Sequence, residues 1–425
     1  MPHINWSFII PNVVLLLAYI SIVAERIPKV ATALLGACLL IVTHNISQDQ
    51  AIAAIDFNVI FLLVGMMIIV NVLGHSGGLN ALAIFVAKIL KGDKIKLLLI
   101  FSLMTAVLSA IFDNVTTVLL LGSVTCVIAQ HLKVSPVPFL ISETICSNIG
   151  GTATLIGDPP NIMIGSAARL SFNDFVLNLA PPVIMILPVT LLTLFLIYRK
   201  QLNGSQVSSE ELDDMSASEA ITDRRLLLVS LVITFFVISG FVFHGSLNLE
   251  AGTIALSGAA LLLIFENRKS IWSDVEWTTI FFFIGLFIIV GAVEKSGTIE
   301  LMAHKFMEIT SDNTHLMPLA ILWISGLLSA IIDNIPYTAT MIPLVRTVQE
   351  HIQIHNSQSL WWALALGSCL GGNGSLIGAT ANVVVADMAH SRGMPLSFLE
   401  FTLVGGLVML ESLFIASAYI WFRFS

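Results

Sequence analysis

Charge is scarce in this chain. Only 11% of its 425 residues are Asp, Glu, Lys or Arg, against roughly 25% in an average soluble protein. With 56% hydrophobic residues, that shortage excludes an ordinary soluble surface and points to a polytopic membrane protein. Cysteine is nearly as rare. Cys38, Cys126, Cys146 and Cys369 sit in apolar segments at unrelated spacings, with no Cys-x-x-Cys pair. They read as small buried hydrophobes rather than a disulfide framework or a metal site. There is no basic tail or aromatic–basic patch, which argues against nucleic acid. The phosphate-cradling pattern Gly-x-x-x-x-Gly-Lys-Ser/Thr is missing, so the chain is not expected to hydrolyse ATP itself. No nucleophile–base spacing or metal-ligand cluster stands out either, so no enzymatic activity, cofactor or resident metal is expected. The start, Met1-Pro-His-Ile-Asn-Trp6, lacks the basic n-region of a signal peptide, and the first apolar run is expected to be a retained helix.

What is present is one pattern written twice. Ser109-Ala-Ile-Phe-Asp113-Asn114 recurs as Ser329-Ala-Ile-Ile-Asp333-Asn334, and Gly150-Gly-Thr-Ala-Thr-Leu-Ile-Gly157 recurs as Gly371-Gly-Asn-Gly-Ser-Leu-Ile-Gly378. The two copies end at Asn161 and Asn382. At the 220-residue offset of the Asp-Asn motif, one less than that of the Gly-rich motif, Phe61, Gly65, Ser76 and Gly77 match Phe281, Gly285, Ser296 and Gly297. The chain therefore divides into a first repeat (1–200), an acidic, serine-rich linker (201–224) and a second repeat (225–425). Each repeat carries a hairpin broken at Asp-Asn, over 97–131 and 315–351. Each also carries a broken helix, over 136–168 and 358–390.

Several apolar runs approach the ~20 residues that span ~30 Å of hydrocarbon. The Asp-Asn interruptions are best read as tips of re-entrant hairpins, because irregular backbone at membrane depth is tolerated only inside protein or along a cavity. Each repeat then has five transmembrane helices plus one re-entrant hairpin, and an odd number of crossings makes the two repeats inverted. The resulting fold class is an all-α polytopic membrane protein. Placing both termini outside puts Arg26, Lys29, the Lys88–Lys96 cluster, Lys133, Arg199, Lys200, Arg224, Arg225, Arg268, Lys269 and Arg392 on the cytoplasmic side with the linker. It leaves Arg169, Lys295, Lys305, Arg346 and Arg423 outside, which follows the positive-inside rule.

Polar groups at membrane depth are costly and mark a site by default. Two hairpin tips and two broken helices from inverted repeats can converge at the bilayer centre. There Asn114, Thr116, Thr117, Gly151, Thr152, Thr154, Asn161, Asn334, Thr338, Gly372, Asn373, Ser375, Thr380 and Asn382 are candidate substrate-binding residues. Their hydroxyls and amides can hydrogen-bond a small solute or replace an ion's water. Asp113, Asp158 and Asp333 are the candidate proton- or ion-coupling groups. Asp113 and Asp333 also suit helix N-caps, and Gly-Asp-Pro-Pro around Asp158 is good turn chemistry. These readings remain open beside the coupling role. The second repeat has Ala379 where the first has Asp158, so that acid is unpaired. Glu143, Glu294 and Asp387 are secondary candidates.

Two stretches, Asp333-Asn-Ile-Pro-Tyr-Thr-Ala-Thr-Met-Ile-Pro343 and Gly151-Thr-Ala-Thr-Leu-Ile-Gly-Asp-Pro-Pro-Asn161, resemble the signatures of the ArsB/NhaD group of the ion transporter superfamily. That group includes arsenite efflux permeases, sodium/proton antiporters and melanosomal P protein-like transporters. The resemblance covers nearly the whole chain and is specific for the superfamily more than for a substrate. It implies a homodimer in a bacterial inner membrane, a scaffold domain and a mobile transport domain working like an elevator, and cargo held at hairpin tips and broken helices. In its arsenite subgroup it also implies a separate ATPase subunit. Related dicarboxylate carriers have Ser-Asn-Thr at their tips. Two aspartates in that place, with no Lys or Arg near either tip in sequence, disfavour a dianion. The expected function is proton-coupled efflux of arsenous acid or antimonite, with sodium/proton antiport as the alternative and chloride-like anion movement as a further one.

Overall fold

The computed structural model describes residues 6–424 except 25, 203–215, 248, 267–270, 311–312 and 352–357. The middle of the acidic linker lies outside the described residues, as do Arg268 and Lys269. Among those described there is no β-strand.

The helices of the first half are α1 (Trp6–Ala24), α2 (Lys29–Val42), a short α3 (Gln48–Ala53), α4 (Phe57–His75), α5 (Gly78–Ile89), α6 (Lys94–Ser109), α7 (Asn114–His131), α8 (Val137–Gly151), α9 (Pro159–Ala168) and α10 (Phe172–Leu202). The second half runs in the same order. It comprises α11 (Arg224–Leu247), α12 (Ala251–Phe265), a short α13 (Ile271–Asp274), α14 (Trp277–Lys295), α15 (Thr298–Ile309), α16 (Leu316–Ser329), α17 (Asn334–His351), α18 (Ser359–Gly371), α19 (Thr380–Ser391) and α20 (Phe398–Phe424). Among the described residues seven helices are long and apolar enough to cross a membrane: α1, α4, α7, α10, α11, α14 and α20. The chain is an all-α polytopic membrane protein.

Helix packing sorts the elements into two groups. α1, α2, α4, α11, α12 and α14 pack on one another, while the hairpins, the broken helices, α10 and α20 pack on one another. α5 and α15 lie against α7 and α17 and join the groups. Inside a membrane, lipid removes most of the hydrophobic drive between helices, so close approach over small residues has to hold them. The sequence supplies it in matching places. A Cβ added to Gly65 of α4 would lie 2.6 Å from the Ala255 carbonyl carbon of α12, and one added to Gly285 of α14 would lie 2.7 Å from that of Ala33 in α2. Similarly, Gly150 of α8 fits against Ala106 of α6, and Gly371 of α18 against Gly326 of α16.

Burial follows the grouping. Every residue of α18 and all of α8 after its first are buried, whereas α1, α10 and α11 expose runs of Leu, Ile and Phe. Ser142, Glu143, Thr144, Ser147 and Asn148 nevertheless lie on α8. A helix enclosed all round yet carrying that many polar side chains must satisfy them inside the protein.

Candidate functional site

Four interrupted helices meet at the centre. α6 ends at Ser109 and α7 starts at Asn114, so Ala110–Asp113 form the first tip, and Ala330–Asp333 form the second in the same way. Each tip is bound to the broken helix of its own half. The Asn114 amide N–H donates to the Gly157 carbonyl at 3.2 Å, and that of Asn334 to the Gly378 carbonyl at 3.1 Å. Ser109 and Ser329 donate to the Ser147 and Ser368 carbonyls at 2.8 and 2.7 Å. Thr154 and Ser375 donate to the Ala110 and Ala330 carbonyls. The two halves build this unit with the same bonds.

Many of the predicted ligands are engaged in holding it. Asn161 Nδ2 donates to the Gly151, Thr152 and Thr154 carbonyls, and Asn382 Nδ2 to those of Gly372 and Ser375. The Thr152 hydroxyl donates to the Asn148 carbonyl. Thus Asn161, Asn382 and Thr152 satisfy carbonyls of the broken helices, while Thr154 and Ser375 serve carbonyls of the hairpin tips. Gly151 and Gly372 line the unwound turns, where Gly151 faces the Gly157 carbonyl too closely for a side chain.

The halves are then stitched to each other. Asn148 Nδ2 donates to Asn373 Oδ1 and Asn382 Oδ1, both at 2.9 Å, and its Oδ1 accepts from Asn114 Nδ2 at 3.1 Å. Asn373 Nδ2 donates to the Ile145 carbonyl. In the other direction, Cys369 Sγ donates to Asn161 Oδ1 at 3.5 Å. Asn148 itself was missed in the sequence because it lies two residues before the repeated Gly-rich pattern begins at Gly150, and Cys369 occupies its place in the second half.

The three predicted acids sit at helix starts, where the N-terminal end of the macrodipole favours negative charge. Asp113 accepts the Thr116 amide at 2.8 Å and Asp333 the Ile335 amide at 3.1 Å, so both do cap their helices. Asp158 precedes α9 but makes no side-chain cap. Its carboxylate turns to the other half and accepts Asn334 Nδ2 at 3.3 and 3.4 Å. The fourth helix start, at α19, follows Ala379 and has no acid. Beyond these bonds, Asp113 Oδ2, Asn114 Oδ1, Thr117 Oγ1 and Thr338 Oγ1 are buried without a partner. An unpaired buried polar atom costs about 1–3 kcal/mol, so these are places where a cargo would be rewarded.

Asp113 and Thr380 line a small cavity of about 20 Å³ with Met66, Met67, Pro159, Glu276 and Thr279, enough for roughly one water. Glu276 was not foreseen. It precedes α14, accepts a hydrogen bond from Thr279 and interacts electrostatically with Asp113 and Lys29. Lys29 was not foreseen at the site either. No Lys or Arg is near either tip in sequence, but the fold brings one there: Lys29 Nζ lies 3.4 Å from Asp333 Oδ2 and 2.8 Å from Thr380 Oγ1. The two are 304 residues apart, so sequence proximity could not reveal the pair.

Of the secondary candidates, Glu143 is buried in α8 with Thr125 donating to one oxygen and the other unpaired, but it does not line the cavity. Glu294 and Asp387 are exposed and also lie away from it. Among the described residues no cluster of three His, Cys, Asp or Glu could hold a metal.

Apolar spans enclosing an acid-bearing, duplicated polar centre define an integral membrane transporter. The chain belongs to the citrate transporter family (CitMHS), which matches residues 19–367. It is similar to an uncharacterized transporter of Mycobacterium tuberculosis, 40% identical over 96% of each chain. It is also similar to a 46 kDa membrane protein of Mycobacterium leprae, 39% identical over 98% of this chain and 99% of that one. The P protein of Mus musculus is 31% identical over 95% of this chain, which spans 58% of that longer protein. These relatives accord with the ArsB/NhaD-like group to which the motifs pointed.

Proposed function

We propose that the chain is a proton-coupled secondary transporter that exchanges a small cation, sodium first, for protons at the acid-lined centre. The observation that carries this reading is the balance of charge: Lys29 pairs with Asp333, Glu276 interacts with both Lys29 and Asp113, and Asp158 lies on Asn334 next to Asp333, so four acids at the centre face a single ammonium among the described residues. The free oxygens of Asp113 and Asn114 are acceptors suited to a desolvated cation. A carboxylate that can bind either a proton or the cation makes the two compete, which is what exchange requires.

A second reading, efflux of arsenous acid or antimonite, is favoured by the unpaired hydroxyls of Thr117 and Thr338. The acids would then carry only the proton. It is weakened because Thr152, Thr154, Asn161, Ser375 and Asn382 spend their donors on the protein's own backbone. Under either reading, the group containing both hairpins would move against the group containing α4 and α14, as in an elevator. The homodimer, the inverted orientation of the repeats, the outside termini and the bacterial inner membrane belong to the same proposal, as does a separate ATPase subunit under the arsenite reading.

The test is reconstitution in liposomes holding a pH dye, with sodium, arsenite and citrate added in separate runs under an imposed pH gradient. Proton release evoked by sodium alone supports the cation reading, and release by arsenite alone transfers the function to the second. A response to citrate alone would overturn both and assign Lys29 to an anion.

A further inference from the structure

Lys29 opens α2, which packs on α14 in one helix group, yet its ammonium reaches the tip of a hairpin in the other. It donates to Thr380 Oγ1, and Thr380 in turn donates to Asp333 Oδ2 at 2.8 Å. The ring of Phe282 lies 5.3 Å from the ammonium, a placement that favours a cation. Next to it, the Tyr19 hydroxyl of α1 donates to the Pro336 carbonyl at 2.9 Å. The second hairpin is therefore tied by two side chains to the helix group it would move against. The first hairpin has no such tie at the matching helix: α12 opens with Ala251 where α2 opens with Lys29, and Asp113 Oδ2 is left unpaired.

We infer that Lys29 is a tethered competitor of the cargo: its ammonium fills on Asp333 the seat that an arriving cation takes, and its displacement unties α2 from the second hairpin. The geometry gives three reasons. The seat has the makings of a cation site, with a carboxylate oxygen, a hydroxyl oxygen and an aromatic face. The occupant is on a flexible stem with its side chain about one-third exposed, so it can swing into water at small cost, as lysine ammonium groups do. The contact also spans the two groups of helices, so breaking it changes what can move. An exchanger must not cycle empty, and a covalently attached cation that holds the unloaded centre in place supplies that block. A cation of single charge is the class of cargo that replaces it without changing the net charge of the seat.

This inference rests on the cation-exchange reading, so two measurements are paired. In liposomes, Lys29→Gln should lower the apparent KM for sodium several-fold and lower kcat or introduce proton leak without sodium, while Lys29→Arg, which keeps the positive charge, should show a KM above that of Lys29→Gln and less leak. A purely structural lysine would reduce the amount of active protein and leave KM unchanged, and that result overturns the inference. Separately, thermal midpoints in detergent without cargo are compared for the wild type, Lys29→Gln, Asp333→Asn and the double variant. Non-additive shifts, with the double variant no worse than the poorer single, support the tether. Additive shifts overturn it. If the wild type shows no sodium-evoked proton movement, the exchange reading fails, while the midpoint cycle still decides whether Lys29 and Asp333 hold the unloaded protein together.

Discussion

Asn148 of the first half donates its Nδ2 to Asn382 Oδ1 of the second at 2.9 Å, and at the matching place Cys369 of the second half donates to Asn161 of the first. The same crossing is made twice, once with an amide and once with a thiol. Since the amide also serves Asn373 and Asn114, the stronger crossing is the one through Asn148.

Replacing Asn148 by Leu should therefore destabilise the protein more than replacing Cys369 by Ala. The first change leaves several buried polar atoms unpaired, at about 1–3 kcal/mol for each. The second loses one weak thiol bond. Thermal midpoints in detergent should fall clearly for Asn148→Leu and by much less for Cys369→Ala.

Asp113→Asn and Asp333→Asn should abolish coupled transport while leaving the fold in place. Asn and Asp are comparable N-caps, so the Thr116 and Ile335 amides keep an acceptor and the stability cost of Asp113→Asn should stay under ~1 kcal/mol, while Asp333→Asn also gives up the pair with Lys29 and should cost more. Normal transport by both variants, read as proton flux in liposomes, would reduce these residues to helix caps.

Asp158→Asn separates coupling from binding. An amide oxygen can still accept from Asn334, so a folded protein is expected, but the exchangeable proton is gone. Cargo should then move down its own gradient without evoking a pH change. Unaltered proton flux would assign coupling to Asp113, Asp333 or Glu276 alone.

How far the sequence carried depended on whether a feature repeats. The Asp-Asn tips and Gly-rich breaks stand out because polar residues recur at one offset in an apolar chain, and the helix starts at Asn114 and Asn334 fall beside those marks. Asn148 and Lys29 have no polar counterpart in the other half, and Glu276 has one, Asp56 before α4, that stands at a helix start like an ordinary cap. Cys369 stands opposite Asn148, and Ala251 opens the helix that answers the one Lys29 opens. Lys29 read as a loop charge because it directly follows the break between α1 and α2. Only the packing of α2 on α14 brings it to Asp333. The hydroxyl and amide ring was legible in residue type and misleading in role, since broken helices and hairpin tips consume such groups to satisfy their carbonyls.

Gly285→Ala tests the packing of the helix group to which Lys29 belongs. Its new methyl would meet the Ala33 backbone, which cannot turn aside as a side chain would. A loss of about 1–3 kcal/mol is expected from such overpacking, seen as a lower thermal midpoint. An unchanged midpoint would mean that α2 and α14 separate without cost.

Glu276→Gln should raise the apparent KM for sodium several-fold with little change in fold, because Thr279 can still donate to the amide oxygen. An unaltered KM would remove Glu276 from the cation seat.

The most direct measurement is proton movement in liposomes when sodium is added on one side, comparing the wild type with Asp113→Asn. Sodium-evoked proton release by the wild type and none by the variant is the expected result. Equal release by both, or silence of the wild type with sodium beside a response to arsenite or citrate, would contradict cation exchange at this centre.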